Sequence, residues 1–462
     1  MQRAMINDTI FANAGGMGGA ISIVRVSGSH AIEIVDRIFK AKNENKKLVD
    51  QKTYTMHYGH IIDQDQCMVD EVLVLLMRAP HSYTAEDVVE IDCHGGQFVV
   101  CRIMELLLNA GARPAEPGEF TKRAFLNGRI DLSQAESVMD VINAKNHFAL
   151  NSSMMQLHGA VKNKIVDLRD KILHETAFIE AALDDPEHYE LDGYGEELRP
   201  VMEQLIFEIG ELLRNADNGR VLSEGVKTVI VGKPNAGKSS LMNLLLGTEY
   251  AIVTDVAGTT RDTLEKDFNL DGIILHIIDT AGIHDTVDIV EQIGVERAKK
   301  SLEDADLVLH VIDSSKELDE EDKEIFRIVR EKKQIVLLNK CDLSPLISEE
   351  QLEEVYGSPV VSCSAKYGDG LAELTEKIKE MFLKGTIRYN DELYITNLRH
   401  KECLHQALDS LKLVMQSIED GVPEDFYSVD LLHAYEKLGL IIGEAITDDL
   451  ADKIFSEFCM GK

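Results

Sequence analysis

One eight-residue segment constrains the fold of this chain more than any other part of its sequence. Gly232-Lys-Pro-Asn-Ala-Gly-Lys-Ser239 matches the phosphate-loop pattern GxxxxGK[ST] and lies between a β-branched run and a helix-forming run. Its glycines let the backbone wrap around a phosphate, so that successive N–H groups and a helix N-terminus point at the anion. We therefore predict a strand–loop–helix unit in which Lys238 reaches the β- and γ-phosphates of a nucleotide and Ser239 ligates Mg²⁺.

The pattern around this segment predicts a mostly parallel sheet. Short apolar runs alternate with helical stretches from residue 226 onward, which is typical of α/β domains. We predict such a domain over residues 224–384. Its strands are expected at residues 228–231, 273–278, 307–312, 335–338 and 359–361.

Two motifs that follow predicted strands select the base. Asn339-Lys-Cys-Asp342 offers a carboxylate to the N1–H and the exocyclic amine of guanine, a donor pair that adenine lacks. Such a mismatch is worth roughly 10⁴-fold or more in discrimination. We expect Asn339 to tie its loop to the phosphate loop and the Lys340 stem to cover the base. We expect the N–H of Ala365, within Ser364-Ala-Lys366, to meet guanine O6, so the motifs favour GTP over ATP.

Two more motifs are predicted to serve the metal and the γ-phosphate. Asp279-Thr-Ala-Gly282 follows the strand expected at residues 273–278, where the aspartate can hold the water shell of the metal. The N–H of Gly282 can contact the γ-phosphate. Thr260, within Gly258-Thr-Thr-Arg-Asp262, is the switch residue predicted to meet Mg²⁺ and the γ-phosphate.

The group that positions the attacking water is not the one used by Ras-like enzymes. Those enzymes have a glutamine directly after DxxG, whereas Ile283 stands there in this chain. Asn235 could ligate a monovalent cation beside the phosphates, and its charge could replace an arginine finger. Glu291 is a candidate for positioning the water. From the residues alone, three nearby acids are rivals: Asp285, Asp288 and Glu296.

The rest of the chain divides by pattern. Residues 1–120 look β-rich, and helical patterns follow from residue 132 and again past residue 385. We predict a capping box at Ser133-Gln-Ala-Glu136 and a helix over residues 200–216 that stops at Asn218-Gly219. The simplest organisation is an α/β domain inserted into a helical domain.

Composition excludes some classes of function. The net charge of −33 opposes non-specific binding to nucleic acid, so a nucleic-acid partner would need a local basic patch or a helper protein. Seven scattered cysteines without a CxxC fit a reducing cytosol. The sequence contains no run of about 18 apolar residues, so no transmembrane helix is predicted. We expect a cytoplasmic protein.

With these motifs in place, the whole chain resembles the MnmE (TrmE) family of tRNA modification GTPases. The order GKPNAGKS, GTTRD, DTAG, NKCD and SAK inside a helical domain carries the resemblance, together with the terminal Phe458-Cys-Met-Gly-Lys462. Further matching segments are Arg25-Val-Ser-Gly28, Tyr83-Thr-Ala-Glu-Asp87, His94-Gly-Gly96 and Pro117-Gly-Glu-Phe-Thr-Lys-Arg-Ala-Phe-Leu-Asn127.

The resemblance implies an α/β plus all-α fold. It places an N-terminal α/β folate-binding-like domain, which also dimerises, at residues 1–120. A helical bundle domain follows in two halves, residues 121–219 and 386–462. A Ras-like P-loop G domain, residues 224–384, is inserted between them.

The resemblance also implies an activity and partners. The family is a potassium-dependent GTPase that forms a homodimer and works with the flavin-dependent MnmG (GidA) in a heterotetramer or larger assembly. Together they add an aminomethyl or carboxymethylaminomethyl group at C5 of the wobble uridine (U34) of certain tRNAs. The one-carbon cofactor is 5-formyltetrahydrofolate or a related folate. Because this chain is acidic, the partner is expected to supply much of the grip on tRNA.

Site residues follow from the matching positions. The resemblance raises Glu291 above its rivals as the catalytic residue. It implies Ser239 and Thr260 as Mg²⁺ ligands. The K⁺ contacts it implies are Asn235, Thr254, Val256 and Thr259. The folate contacts are Arg25, Glu90 and Lys462, with Arg129 where the family often has a lysine. The GTP-binding residues are Asn235, Ala236, Gly237, Lys238, Ser239, Ser240, Thr254, Thr259, Thr260, Asp279, Thr280, Ala281, Gly282, Asn339, Lys340, Asp342, Ser364, Ala365 and Lys366.

Two other interpretations stay open at this point. A GTP-switched ribosome-assembly factor without modification chemistry would share the GTPase motifs, but such factors commonly carry a basic RNA-binding appendage. A folate-dependent one-carbon transferase with an appended GTPase is the other. The acidic composition and the terminal Cys459-Met-Gly-Lys462 favour the tRNA modification GTPase.

Overall fold

The structure is a computed structural model. It describes residues 8–16, 18–43, 45–189, 191–247, 265–278, 302–382 and 395–444, together with 454, 455, 458 and 461. The chain forms two compact units. The first comprises Met1–Asn143, Ser153–Leu198 and Leu413–Lys462, and the second comprises Ala144–Ser152 and Arg199–Lys412.

A seven-stranded sheet with the order β3-β4-β5-β6-β2-β1-β7 dominates the N-terminal part of the first unit. Its neighbouring strands are antiparallel, except that β1 and β7 are parallel. The strands are β1 Ile10–Asn13, β2 Ile21–Ser27, β3 Phe39–Ala41, β4 Thr55–Ile62, β5 Met68–Met77, β6 Val88–His94 and β7 Arg113–Pro114.

One face of this sheet carries the core of the first unit. Alternate residues of β5, such as Val72, Val74 and Leu76, are buried, as expected for strands with one covered face. They pack with helices α1 (Ala31–Ile38) and α2 (Gln97–Asn109). The other face is left partly exposed.

From residue 119 onward the chain contains helices together with the strands of a second sheet. The bounds of the helices are α3 Glu119–Leu126, α4 Leu132–Asn143, α5 His147–Leu157, α6 Ala160–Asp184, α7 Tyr194–Glu224, α8 Lys238–Gly247, α9 Glu320–Val329, α10 Glu349–Tyr356, α11 Leu371–Phe382, α12 Leu398–Glu419 and α13 Tyr427–Ile442. Short 3₁₀ turns lie at Leu48–Asp50 and Glu424–Phe426.

The second unit contains a six-stranded sheet with the order β13-β12-β11-β8-β10-β9. Only β9 is antiparallel to its neighbour among these strands; the others pair in parallel. The strands are β8 Val226–Val231, β9 Glu265–Leu270, β10 Ile273–Ile278, β11 Leu307–Asp313, β12 Gln334–Asn339 and β13 Val360–Cys363. Every residue of β11 and β12 is buried, as expected for central strands covered on both faces. The fold is therefore α/β plus all-α.

The predicted capping box of α4 at Ser133-Gln-Ala-Glu136 is wrong. The helix is capped two residues earlier, by Asp131 and Gln134. Asp131 Oδ1 accepts from the N–H of Gln134, and Gln134 Oε1 accepts from the N–H of Asp131 at 3.1 Å. The hydroxyl of Ser133 donates to Asp131 Oδ1 at 2.6 Å. Asp131 is the better cap because its carboxylate accepts from the backbone and the serine together.

The predicted end of α7 at Asn218-Gly219 is also wrong. The helix runs on to Glu224 and is followed by Gly225 with φ +82°. Leu213, Ala216 and Val221 are buried, and packing of this stripe outweighs the cost of one helical glycine, about 1 kcal/mol. A Cβ on Gly225 would lie 2.5 Å from the carbonyl oxygen of Ile274, so glycine is required where the helix ends.

Candidate functional site

Three predicted motifs meet at the carboxyl edge of the second sheet. Strand β8 ends at Val231, directly before the phosphate loop, and β12 ends at Asn339. Strand β13 ends at Cys363, which is the register partner of Asn339, and Ser364 follows it. Loops after parallel strands gather at one edge of a sheet, where open α/β folds bind ligands.

The phosphate loop (residues 232–239) needs its glycines. Gly232 has φ +147°, and a Cβ there would lie 2.4 Å from the carbonyl oxygen of Val311. Gly237 has φ +106°, and its Cβ would lie 2.0 Å from Asn339 Nδ2. Asn235 adopts φ +64°, a conformation that asparagine tolerates better than most residues. The loop therefore folds closely against two neighbouring strands and leads directly into α8.

Asn339 joins three segments of the site. Its side chain is 2% exposed; Nδ2 donates to the carbonyl of Ala236 at 2.9 Å, and Oδ1 accepts from the N–H of Ala365 at 3.0 Å. The first bond joins the Asn339 loop to the phosphate loop, as predicted, and the second joins it to the loop that follows β13. The N–H of Ala365 that was expected to meet guanine O6 is engaged by Asn339, so a base would have to share it.

Lys340 points across the phosphate loop. Its Nζ lies 2.6 Å from Asp313 Oδ2 and donates to the carbonyl of Asn235 at 2.9 Å. Burial alone would raise the pKa of Asp313, but hydrogen bonds from Lys340 and Ser315 outweigh it and hold that pKa below its ordinary value. Sequence reasoning missed Asp313, and its place at the end of β11, beside the other loops, is the signal that could have found it.

Asp342 is exposed but oriented. The buried Ser364 hydroxyl donates to Asp342 Oδ1 at 2.8 Å, which fixes one end of the exposed carboxylate. A carboxylate held in this way presents acceptors at the rim of the site. That is the geometry that a pair of N–H donors on a base requires.

Lys238 is half-buried inside the loop. Its Nζ donates to the carbonyl of Gly232 at 2.6 Å and to that of Lys233 at 2.9 Å. Burial lowers the pKa of this ammonium group, with a smaller opposing effect from Glu321. The Lys238 ammonium group thus lies within the curve of the loop, and Ser239 and Ser240 are exposed at the start of α8.

Several predicted site residues lie outside the described residues and stay predictions. They are Thr254, Val256, Thr259, Thr260, Asp279, Thr280, Ala281, Gly282, Glu291 and Lys462.

A second cluster lies on the partly exposed face of the first unit's sheet. Arg25 on β2 and Glu90 on β6 are register partners, with Arg25 Nε 2.8 Å from Glu90 Oε1. The guanidinium carbon of Arg129 lies 4.9 Å from the centre of the Tyr83 ring, and that of Arg25 lies 5.7 Å from it. The carbonyl of Gly461 accepts from Arg25 Nη1 at 3.2 Å.

This cluster gathers three of the four predicted folate residues around an aromatic ring. Sequence reasoning missed the contribution of Tyr83, which appeared only as part of a matching segment. Two guanidinium groups, a carboxylate and an aromatic face suit a flat polar ligand that carries carboxylates.

Among the helices of the described ranges, none is long and apolar enough to cross a membrane.

Comparison with known proteins gives matches over nearly the whole chain. The model described as "MnmE helical domain" matches residues 132–459, and "GTP-binding protein TrmE N-terminus" matches residues 9–129. The tRNA modification GTPase MnmE of Lachnoclostridium phytofermentans is 53% identical over 99% of this chain and 100% of that protein. The tRNA modification GTPase MnmE of Lactobacillus acidophilus is 48% identical over 98% of each. A solved structure of an Aquifex aeolicus Era variant bound to GDP.AlF4- is 31% identical over 41% of this chain and 67% of that one, with a TM-score of 0.29.

Proposed function

This chain belongs to the MnmE family of tRNA modification GTPases. We propose that its GTPase cycle is used in the modification of the wobble uridine of tRNA. As a member of this family it hydrolyses GTP, binds Mg²⁺ with the nucleotide and acts in tRNA modification. The finer proposal is that, with the flavoprotein MnmG (GidA), it adds an aminomethyl or carboxymethylaminomethyl group at C5 of U34 in certain tRNAs. The observation that carries this proposal is the alignment over 99% of the chain with a relative named for tRNA modification.

The domain organisation of this proposal is the one expected from the sequence. Residues 1–120 form the folate-binding and dimerisation domain, and residues 121–219 and 386–462 form the helical domain. Residues 224–384 form the G domain.

The Arg25–Glu90–Arg129 cluster is proposed to hold the one-carbon folate. The N–H groups of a pterin ring can pair with the carboxylate of Glu90, and the glutamyl carboxylates can pair with the guanidinium groups. The Tyr83 ring offers a face for stacking, and Lys462 is proposed as a further contact. The folate supplies the one-carbon unit when bound. The residues present fit such a ligand, since both charges and an aromatic surface lie within one cluster.

The exposed face of the same sheet supports a homodimer. Ile21, Met56, Tyr58 and Leu73 lie on the face opposite α1 and α2, and their exposed fractions run from 39% to 68%. Tyr58 and Leu73 are register partners on β4 and β5. Exposed apolar side chains that gather on one face of a sheet mark interaction sites, so we propose that two copies pair through this face.

The GTPase residues are proposed to have separate roles in binding the base, the phosphates and Mg²⁺. Asp342 and Ala365 read the base, Asn339 ties its loop to the phosphate loop, and Lys238 meets the β- and γ-phosphates. Ser239, with its exposed hydroxyl at the start of α8, fits as an oxygen ligand of Mg²⁺, which neutralises phosphate charge when bound. Thr260, the other predicted Mg²⁺ ligand, lies outside the described residues.

Potassium is expected to stimulate hydrolysis by about tenfold or more over sodium, because a cation at Asn235 would offset charge that develops on the phosphates. Asn235→Ala should abolish the difference between the two salts. Asn235→Gly should do the same while tolerating φ +64°, which separates the side chain from backbone strain. Turnover of GTP in matched KCl and NaCl checks this. Equal rates in both salts for the unsubstituted protein would refute the cation proposal.

Glu291→Ala is expected to leave GTP affinity within about twofold and to slow hydrolysis by roughly 10²-fold, the usual effect of removing a group that positions a reactant. The measurement is single-turnover hydrolysis beside equilibrium binding. Asp285→Ala and Asp288→Ala are matched controls from the same stretch and should hydrolyse GTP normally. Normal hydrolysis by Glu291→Ala would reassign the role.

The proposed function is tested by analysing tRNA nucleosides from cells that lack this protein. We expect loss of the C5 substituent at U34, restored by the unsubstituted chain. In a purified mixture, modification should require the flavoprotein, GTP and a one-carbon folate together. Unchanged U34 in the deletion strain would sink the proposal.

A further inference from the structure

Lys233, the second residue of the phosphate loop, pairs with two acids at the start of α9. Its Nζ lies 2.7 Å from Asp319 Oδ2 and 2.6 Å from Asp322 Oδ2. The side chain of Lys233 is 14% exposed and that of Asp322 only 2%, whereas that of Asp319 is 57% exposed. One of the two pairings is thus almost fully removed from water, where ion pairs are screened least.

Both acids are already fixed by the helix that they begin. Asp319 Oδ1 accepts from the N–H groups of Glu321 and Asp322, and Asp322 Oδ2 accepts from the N–H of Asp319 at 3.3 Å. This reciprocal capping box holds each carboxylate in one orientation. Lys233 therefore meets a rigid pair of acceptors, unlike a surface lysine that pairs with a mobile carboxylate.

The other end of this contact is the backbone that surrounds Lys238. The carbonyl groups of Gly232 and Lys233 both accept hydrogen bonds from Lys238 Nζ. A displacement of Lys233 would move one of these acceptors directly and the other through a single peptide bond. The capped end of α9 is thus connected, through one side chain, to the ammonium group that meets phosphate.

Removal of the lysine would leave a charge to be accommodated. Among the described residues, the buried Asp322 carboxylate pairs with Lys233 through Oδ2 and has no hydrogen-bond partner at Oδ1. An uncompensated buried charge draws in water or shifts its surroundings. Lys233 belongs to the phosphate loop, so any such shift at this contact would act on that loop.

We propose that Lys233 is a positioning residue of the GTPase, which holds the phosphate loop against the capped end of α9 in the shape that nucleotide binding requires. It acts through the loop backbone and Lys238 and does not itself contact the base. The contact should therefore govern affinity for the phosphates and leave base selection unchanged.

The experiment measures the dissociation constant of GDP, with active sites counted by titration, for Lys233→Met and Lys233→Arg in the full chain. We expect Lys233→Met to weaken GDP binding about tenfold, the effect of losing about 1.4 kcal/mol. Lys233→Arg should stay within about threefold. The ratio of GDP to inosine diphosphate affinity should not change in either variant, because Asp342 is untouched.

Two controls keep the result decisive. Lys323→Met removes an exposed lysine of α9 that pairs with Glu320, and it should bind GDP normally. Asp319→Asn keeps a good helix cap but removes one charge from Lys233, and it should weaken GDP binding about threefold even if Lys233→Met folds poorly. The proposal is overturned if the affinity of Lys233→Met is unchanged and only the number of active sites falls. It is also overturned if Asp319→Asn binds normally or Lys323→Met matches the loss.

Discussion

Asp342→Asn is expected to weaken GTP binding by roughly 10²- to 10⁴-fold and to raise the affinity for xanthosine triphosphate. The carboxylate accepts from N1–H and from the exocyclic amine of guanine, and the amide can accept only one of these bonds. Xanthine carries a carbonyl in place of that amine, so the new NH₂ group gains an acceptor. Ser364, which donates to Asp342 Oδ1 at 2.8 Å, should hold the asparagine oxygen in the same place.

Competition binding of GDP and xanthosine diphosphate measures this change of preference. Asp271→Asn is a matched control, since it removes the same charge from the β9–β10 turn at the opposite edge of the same sheet. It should bind GDP normally. An Asp342→Asn protein that keeps its preference for GDP would show that another group reads the base.

Gly237→Ala is expected to reduce GDP binding by roughly 100-fold, equivalent to about 3 kcal/mol. The new Cβ would lie 2.0 Å from Asn339 Nδ2 on a backbone with φ +106°, so either the loop or the asparagine must move. Movement breaks the buried hydrogen bond between Asn339 and the Ala236 carbonyl, and an orphaned buried donor costs about 1–3 kcal/mol.

The control for this variant is Gly357→Ala. Gly357 also has a positive φ, +61°, but a Cβ there meets no atom of the described residues within 4 Å. It should lose about 1 kcal/mol of unfolding free energy and bind GDP normally. Isothermal titration with GDP and thermal unfolding of both variants distinguish the effect of the close Cβ contact with Asn339 from the effect of backbone strain. Equal GDP affinity in the two variants would contradict the proposed geometry.

The sequence predicted the parallel strands of the second unit well because their runs are apolar and bounded by motif residues. The strand at residues 273–278 matches in full, and β8, β11 and β12 extend the predicted runs by one or two residues. Helix ends were less predictable. Asn218-Gly219 resembles a stop signal, yet burial of Leu213, Ala216 and Val221 keeps α7 helical as far as Glu224.

The site shows the same division between local and long-range information. Spacing within a motif identified Lys238 and Asp342, since the chemistry lies in consecutive residues. It could not identify partners far along the chain, such as Asp313 for Lys340 or Tyr83 for Arg129. Those pairings depend on how the strands are ordered in the sheet, which no local pattern encodes.

The central claim is that Asp342 reads the base while the loop around Lys238 grips the phosphates. Affinities of the purified, unsubstituted chain for GDP, inosine diphosphate and ADP test it most directly, because inosine lacks only the exocyclic amine and adenine lacks both donors. The account predicts tight binding of GDP, roughly 10- to 100-fold weaker binding of inosine diphosphate, since a hydrogen bond to a charged group is worth about 1.5–3 kcal/mol, and no measurable binding of ADP. Binding of ADP as tight as that of GDP would contradict it.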